Sequence, residues 1–580
     1  MTWDTERVKL GRRPAVSIQL TLDKCAETYG VLPCTANLAA GLECFNTRAT
    51  CQDPPNFNNT VTLNHYFSTT LLEGNTNIPC IDSLDLAPTV INPDKGLGQR
   101  ATISITLNDF PHHDRGIDPY VATRSYNPET QGTYFGKLLA RNRHISGRPL
   151  EVHSGYIADP LDVADFQKRK YIVDNITGPD KSGKVTIVAK DILALADDKR
   201  ALVPAPSTGL LVGAITDVAT TLTVTSGTES EYTSEYIRIG EEVILAPTAN
   251  RTANVFANLT RASFNTEAAA HALGDTVQEC EDLQNTNCID AVRNMLLNNA
   301  SIPTAYIVNA DWDLVRDTWY ATSDVDTLIT KPTGVNKIIN QLAEQYFFQI
   351  WWNEIDQEIN INAIVAPRGS VTVPIYDDEN HLINNSVSVK HEDKRRLTRI
   401  LFYYNPLNPV KIDDPEDYQS LHIIIDADAE SADQYADIRQ KVILAQFVNS
   451  AGIAAQTGGR YLSRFRDVPR DITFEIDAKG ADQWTGATID INSKDLQSET
   501  GAQDNVRFQV LSVKELTRDM PGSTYQYRAI ETNFATRYGY VGPNTLVDYT
   551  AESVLNKTLY GWISDNAGLM GDNTQAYSII

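Results

Sequence analysis

The sequence lacks several things at once. No run approaches the roughly 20 apolar residues that a bilayer-spanning helix needs, and the first residues, MTWDTERVKLGRRP, have no apolar core of the kind a secretion signal carries. Synthesis and folding in a cytosol are expected. Basic residues are in the minority: 50 Lys and Arg face 74 Asp and Glu, a net charge of −24. That balance repels phosphate backbones and speaks against sequence-specific nucleic-acid binding. No H-E-x-x-H, G-x-S-x-G or Cys–His nucleophile signature occurs, so no catalytic residue is assigned and an enzyme is not expected. The stretch Gly178-Pro-Asp-Lys-Ser-Gly183-Lys184 comes near a phosphate loop, but VTIVAK follows as a strand instead of a helix, so it reads as a hairpin turn.

What the chain does contain favours strands and turns. It has 580 residues, 42% hydrophobic and 21% charged, with 25 Tyr, 26 Pro and 32 Gly against four Met; this is ordinary globular usage spread over several domains. The expected fold is mainly β with α+β parts, built from β-barrels, a small inserted β module and a Cys-rich metal-binding loop. Alternation at 16–23 and 101–109 marks half-buried strands of one sheet. The Cys-rich stretch, about 24–81, becomes a long excursion between them. Further strands are expected at 149–157, 170–176 and 184–192, with a helix at 133–143, completing a barrel over 1–205. Residues 206–280 turn to Thr, Val, Gly and Ser and read as the inserted module. An α+β domain is expected over 281–365 and a second barrel over 366–545, broken by a helix at 431–449. Residues 546–580 form a C-terminal docking tail.

Cysteine is scarce where it would be ordinary and dense in one place. Five of the seven, Cys25, Cys34, Cys44, Cys51 and Cys80, lie in the first 80 residues; only Cys280 and Cys288 follow. The spacing C-x8-C-x9-C-x6-C sits among loop-forming residues, so four soft ligands can converge without a regular scaffold. Three readings stay open on the residues alone. Disulfides need an oxidising compartment; structural zinc usually brings close C-x2-C or C-x4-C pairs, which are missing; an iron–sulfur cluster accepts ligands from separate loops. Cys80 reads either as a substitute ligand or as a small buried hydrophobe, and Cys280 and Cys288 as core or loop thiols.

Other polar groupings carry less. His112, His113 and Asp114, with Asp109 and Asp118, offer a weak second metal set beside Pro111. Glu354, Asp356 and Glu358 alternate like the solvent face of a hairpin, although two carboxylates are what a glycosidase needs. Asp426, Asp428, Glu430 and Asp433 read as a helix N-terminal region. The basic runs at 391–399 and 460–470 are interleaved with acids and suit salt-bridged subunit contacts.

The segment Cys25-Ala-Glu-Thr-Tyr29-Gly30, Pro33-Cys34-Thr35, Glu43-Cys44-Phe-Asn46-Thr47 and Thr50-Cys51-Gln52-Asp53 resembles the Cys-rich segment of tail-tip and baseplate hub proteins of long-tailed bacteriophages. Asp109-Phe-Pro-His-His-Asp114, Tyr236-Ile-Arg238-Ile-Gly240-Glu-Glu242 with Arg261, His271, Gly274 and Asp275, and Ile425-Asp-Ala-Asp-Ala-Glu430-Ser are similar to pieces of the same kind of protein. The resemblance implies a structural virion protein at the distal tail tip, assembled in the bacterial host cytoplasm. It would be a homotrimeric hub closing the tail tube and taking part in DNA ejection. Its implied partners are the distal tail protein, the tape-measure protein and tail fibre or spike proteins, with transient contact to the host envelope through the assembled tail. It also implies a structural cluster, 4Fe-4S with zinc as the runner-up, held by Cys25, Cys34, Cys44 and Cys51, with Cys80 as the alternative ligand. Two other functions remain open at this point: a tail-associated cell-wall hydrolase using the carboxylates at 354–358, and a disulfide-stapled adhesin.

Overall fold

In the computed structural model the chain is described from residue 3 to 532, apart from stretches of one to seven residues, and beyond that at 540–541, 549–553 and 560–561. The expected docking tail lies almost wholly outside the described residues, as do Asp428 and Asp433. The fold is mainly β. No helix among the described residues is long and apolar enough to cross a membrane.

A short helix α1 (Trp3–Arg7) leads into the first sheet, whose strands are β1 (Pro14–Lys24), β2 (Val61–Ser68), β3 (Ile78–Pro79), β4 (Ile81–Ala87), β5 (Thr102–Asn108), β6 (Pro149–Tyr156), β7 (Gln167–Thr177) and β8 (Lys184–Lys190). Their order is β3-β2-β1-β6-β7-β8-β5-β4. Strands β3 and β4 are one extended segment interrupted at Cys80: the first part pairs with β2, the second with β5. The two ends of the sheet therefore meet through a bent strand, and the sheet closes on itself. Alternation explains the rest, since Ile18, Leu20, Ile103, Ile105, Val185 and Ile187 all point into one core. Helix α2 (Tyr134–Arg141) packs Phe135 and Leu138 into that core.

The excursion is shorter than the sequence suggests. It covers residues 25–60, because β2 returns antiparallel to β1 in the register Lys24↔Val61 to Ser17↔Ser68. The inserted module holds two three-stranded sheets, with Thr221–Thr223, Arg251–Thr252 and Val255–Ala257 in one and Tyr236–Ile239, Glu242–Leu245 and Val277–Glu279 in the other. They share a core that includes Leu222, Ile237, Ile239, Phe256 and Val277.

The α+β region contains α3 (Cys288–Asn294), α4 (Asn309–Trp319) and α5 (Val335–Tyr346), followed by the hairpin Phe348–Asn353/Glu358–Ala363. Its apolar core, with Trp312, Tyr346 and Trp352, runs on through Phe402, Ile443 and Tyr461, so the packing unit extends well past residue 365. The helix expected over 431–449 is replaced within the described residues by the strand Gln440–Ala445, which pairs parallel to Arg399–Pro406. Helix α6 (Ala451–Phe465) follows this strand, where Ser450 Oγ accepts from Gly452 N at 3.2 Å. A six-stranded sheet with its own core of Phe474, Ile489, Phe508 and Tyr527 forms the last unit. Residues of both basic runs pair within the chain, Arg399 with Glu430 and Arg470 with Glu531, at 2.7 Å each, and Arg466 with Asp426. These arginines are therefore tied intramolecularly, where subunit contacts were expected.

Candidate metal centre

The described residues of 25–60 have almost no regular structure, only single 3-10 turns at Arg48–Thr50 and Pro54–Asn56. Their backbone groups are satisfied one by one. Cys25 N donates to Asn46 O at 2.8 Å, Ala26 N to Asn58 O at 2.9 Å, Cys34 N to Val31 O at 2.9 Å and Cys51 N to Arg48 O at 3.3 Å. Asn46 is the pivot. It adopts the left-handed conformation (φ 55°) that Asn tolerates better than most residues. Its side-chain amide donates to Cys25 O, and its backbone N–H donates to Cys44 Sγ, both at 3.3 Å.

Contacts to the barrel hold the loop from below. The Phe45 ring lies between two guanidiniums, Arg124 at 4.2 Å and Arg141 at 4.1 Å from its centre. Arg124 forks onto Asp118 at 2.8 and 3.0 Å and donates to Cys44 O, while Arg141 donates to Asp114 at 2.7 Å and its carbonyl accepts from Thr47 Oγ1 at 2.7 Å. At the other end Tyr29 N donates to the Tyr120 hydroxyl and Asp53 Oδ2 accepts from Thr35 N and Oγ1 and from Asn56 Nδ2. Those bonds, the Thr35 N–H first, hold the Asp53 carboxyl below its usual range.

Cys25, Cys34, Cys44 and Cys51 line one small pocket, partly open to solvent, with Glu27, Tyr29, Gln52 and Asp53 around them. Cys44 is buried and the other three are half-buried; all seven cysteines of the chain are free thiols. Burial pushes the Cys44 thiol up, and the nearby Cys51, Cys25 and Cys34 push it further, against the Asn46 N–H. The Cys51 thiol is raised by burial and again by Cys25 and Cys34. Four mutually repelling sulfurs ionise together only around a cation, and metal binding to such a set releases protons. The donor chemistry fits a thiolate-bound centre. A tetrahedral zinc holds its sulfurs at about 2.3 Å, hence roughly 3.8 Å from each other, whereas a cluster shares its ligands among several irons. Among the described residues no three His, Cys, Asp or Glu side chains are gathered tightly enough for a single ion.

Cys80 lies elsewhere, at the corner between β3 and β4 in the apolar core, where burial pushes its thiol up to about 12. Cys280 and Cys288 are fully buried. The His112–Asp114 set is already committed: Asp114 pairs with Lys137 and Arg141, Asp109 Oδ1 accepts from Phe135 N in the first turn of α2, and the Nδ1 atoms of His112 and His113 accept from Asp114 N and Arg115 N. Glu354 is not on a solvent face. It accepts from Thr89 N at 2.9 Å and Tyr171 OH at 3.4 Å, and lies 3.9 Å from Arg169, so it joins the hairpin to the barrel. Arg124, Arg141, Phe45 and Asn46 are the site residues that sequence patterns miss. The two arginines lie about 80–95 residues from the loop atoms they hold, and only the non-Gly left-handed Asn46 has a local signal.

No protein-family model matches the chain, and no curated protein matches its sequence. Among solved structures it is similar to a tail protein from Neisseria meningitidis MC58, with 9% identity over 78% of this chain and 96% of that one, at a TM-score of 0.38. The 43 kDa tail protein of prophage MuSo2 from Shewanella oneidensis aligns with 9% identity over 77% and 96% of the two chains, TM-score 0.35. An Escherichia coli component of the type VI secretion system aligns with 7% identity over 81% and 80%, TM-score 0.31.

Proposed function

We propose that this chain is a structural protein of the distal tail of a long-tailed bacteriophage, a homotrimeric hub that carries a 4Fe-4S cluster on Cys25, Cys34, Cys44 and Cys51. One observation carries the proposal: the four thiols of the segment that resembles the tail-tip motif line a single cavity, while the fifth candidate, Cys80, belongs to the barrel core. Four thiolates fixed on one inorganic core would tie together four points of a loop that has almost no apolar interior. The protein's own contribution is positional. Asn46 holds Cys25 and Cys44 in register, its N–H stabilises negative charge on the Cys44 sulfur, and the Arg124–Phe45–Arg141 stack fixes the loop on the barrel.

The role follows from shape and charge more than from chemistry. A rigid loop on a closed barrel suits docking of a distal tail protein, a tape-measure protein and a fibre or spike. An acidic chain of −24 lets DNA pass during ejection without binding it. The test is anaerobic purification with an absorption spectrum and quantitation of iron, acid-labile sulfide and zinc. Iron and sulfide at about four each per chain, lost in Cys44→Ser/Cys51→Ser together with tail assembly, are the expected result. Zinc alone, or infectious tails from the double variant, would refute the cluster reading.

A further inference from the structure

A strap ties the first barrel to the rest of the chain. Between β4 and β5 the described residues of 88–100 leave the sheet and cross to two other units. Ile91 N donates to Leu511 O at 2.9 Å, in the strand Gln503–Leu516 of the last sheet. In the hairpin Ile350 N donates to Gly96 O at 2.8 Å, and Leu97 N donates to Asn340 Oδ1 on α5 at 3.1 Å. The seat is tight, since a Cβ at Gly96 would lie 1.7 Å from that of Ala343. Both ends of the strap are tied by acids. Thr89 N donates to Glu354 Oε1 at 2.9 Å, and Arg100 Nη2 donates to Asp197 Oδ1 at 3.1 Å.

A further acid, Asp191, lies at the foot of the strap and is only half satisfied. It is 1% exposed, and its Oδ2 accepts from Ala101 N at 2.7 Å. Its Oδ1 is buried with no hydrogen-bond partner among the described residues, and the same holds for Arg100 Nη1, Thr89 Oγ1 and Arg169 Nε. Buried polar atoms left unpaired cost stability, and these four sit where strap, barrel and hairpin join. The charged and titratable groups that act on Asp191 are Arg100 on the strap, Asp197 after the next turn, Tyr171 on β7 and Glu354 in the hairpin. Arg169, also on β7, is held by Glu515 at 2.9 Å and lies 3.9 Å from Glu354. Arg100 favours a charge on Asp191, whereas Glu354 and Asp197 oppose it.

We propose that Asp191 is a proton-operated latch: neutral, it lets the strap and hairpin seat on the barrel, and ionised, it sets a further negative charge against Glu354 and loosens the strap. The latch uses none of the four thiols and stands whether or not they hold a cluster. Burial raises the Asp191 carboxyl from 3.8 to about 7, against the pull of Arg100 and of the Ala101 N–H. The seated form therefore holds the proton more tightly than an open form in which the acid is solvated. Seating is strongest below 3.8, weakens as the pH rises, and has lost the whole contribution above about 7.

Hydrogen exchange of the full-length protein tests this, read by mass spectrometry on peptides from 88–100 and 348–363 between pH 6 and 8 and corrected for the intrinsic rate at each pH. In the wild type the open fraction of the strap should rise about tenfold over that range and level off at its upper end, while peptides of 206–280 show no such step. Asp191→Asn keeps an acceptor for Ala101 N and cannot ionise, so it should abolish the step. Glu354→Gln keeps an acceptor for Thr89 N and removes the opposing charge, so it should shrink the step. A wild type without the step overturns the latch, and so does a step that survives in Asp191→Asn. If that variant does not fold, a step of unchanged size in Glu354→Gln overturns it instead.

Discussion

Two excursions interrupt the larger units of this protein, and they are ordered by opposite means. The inserted module brings its own core: Leu222, Ile237, Phe256 and Val277 are at most 3% exposed. Inside it, Glu242 is buried and accepts from Arg261 at 2.6 Å, from His271 at 2.8 Å and from two backbone amides. The Cys-rich loop has nothing comparable. Among its described residues only Cys44 and Asn46 are buried, and its order comes from single hydrogen bonds and the guanidinium stack, to which the centre proposed on its four thiols would add. Apolar burial is non-directional and shared by many groups, so the module should tolerate the loss of any one polar contact. The loop should not tolerate the loss of its thiols, because few other contacts remain to hold it.

The largest effect that separates the two is in the module. Phe256 is 1% exposed and stacks edge-on with Tyr232, so Phe256→Ala should remove about 3–5 kcal/mol from a unit this small. Limited proteolysis should then cut within 206–280, with the metal content of the proposed centre unchanged. Metal loss accompanying that cut would mean the two excursions are one cooperative unit, and the comparison would fail.

Acid should separate them next, from the other side. His65 on β2 lies under the loop, 2.7 Å from the Tyr134 hydroxyl, and burial, helped by His112, pushes it down from 6.5 to about 4. Its folded value is depressed, so its contribution is complete above 6.5 and is lost as the pH falls toward 4. The full displacement is worth on the order of 3 kcal/mol. In the module, burial raises the Glu242 carboxyl but Arg261 and His271 outweigh it, and the net direction is down. Glu242 therefore keeps its contribution until the pH falls below 4.5. Hydrogen exchange at pH 7 and pH 5 should show protection falling around β2 and the loop while the module keeps its own; equal losses in both would contradict this.

Much of the β framework can be read from alternation alone, because each half-buried strand carries its own period of two. The failures are non-local. Strand β2 has the alternation VTLNHYFS, yet it merges with a Cys-rich stretch when no partner strand is known. Residues 440–445 carry no local preference strong enough to oppose the parallel pairing with Arg399–Pro406. Helix α6 is disguised by Gly452, Gly458 and Gly459, and Gly458 is there for a close approach to Ile424 that only the fold reveals. Convergence of the thiols could be expected from their density. What holds them could not, since Arg124 and Arg141 enter from a different element.

The smallest effect sharpens the comparison most, because it removes one of the loop's non-thiol supports and leaves the donors in place. Phe45→Ala deletes the ring between Arg124 and Arg141, worth about 1 kcal/mol for partly desolvated cations over an aromatic face. That is roughly a fivefold rise in the open fraction of the loop, readable as a fivefold faster protease cut within 25–60 at unchanged module protection. Phe45→Leu keeps most of the bulk and loses the π faces, so it distinguishes packing from cation–π attraction. If Leu matches the wild type, packing alone seats the loop. If Leu behaves like Ala, the guanidiniums do, and adding salt should weaken the wild type toward the variants, as screening acts on the charges and not on apolar contact. If neither substitution changes the rate, the Phe45 stack does not seat the loop, and its hydrogen bonds and thiols hold it without that ring.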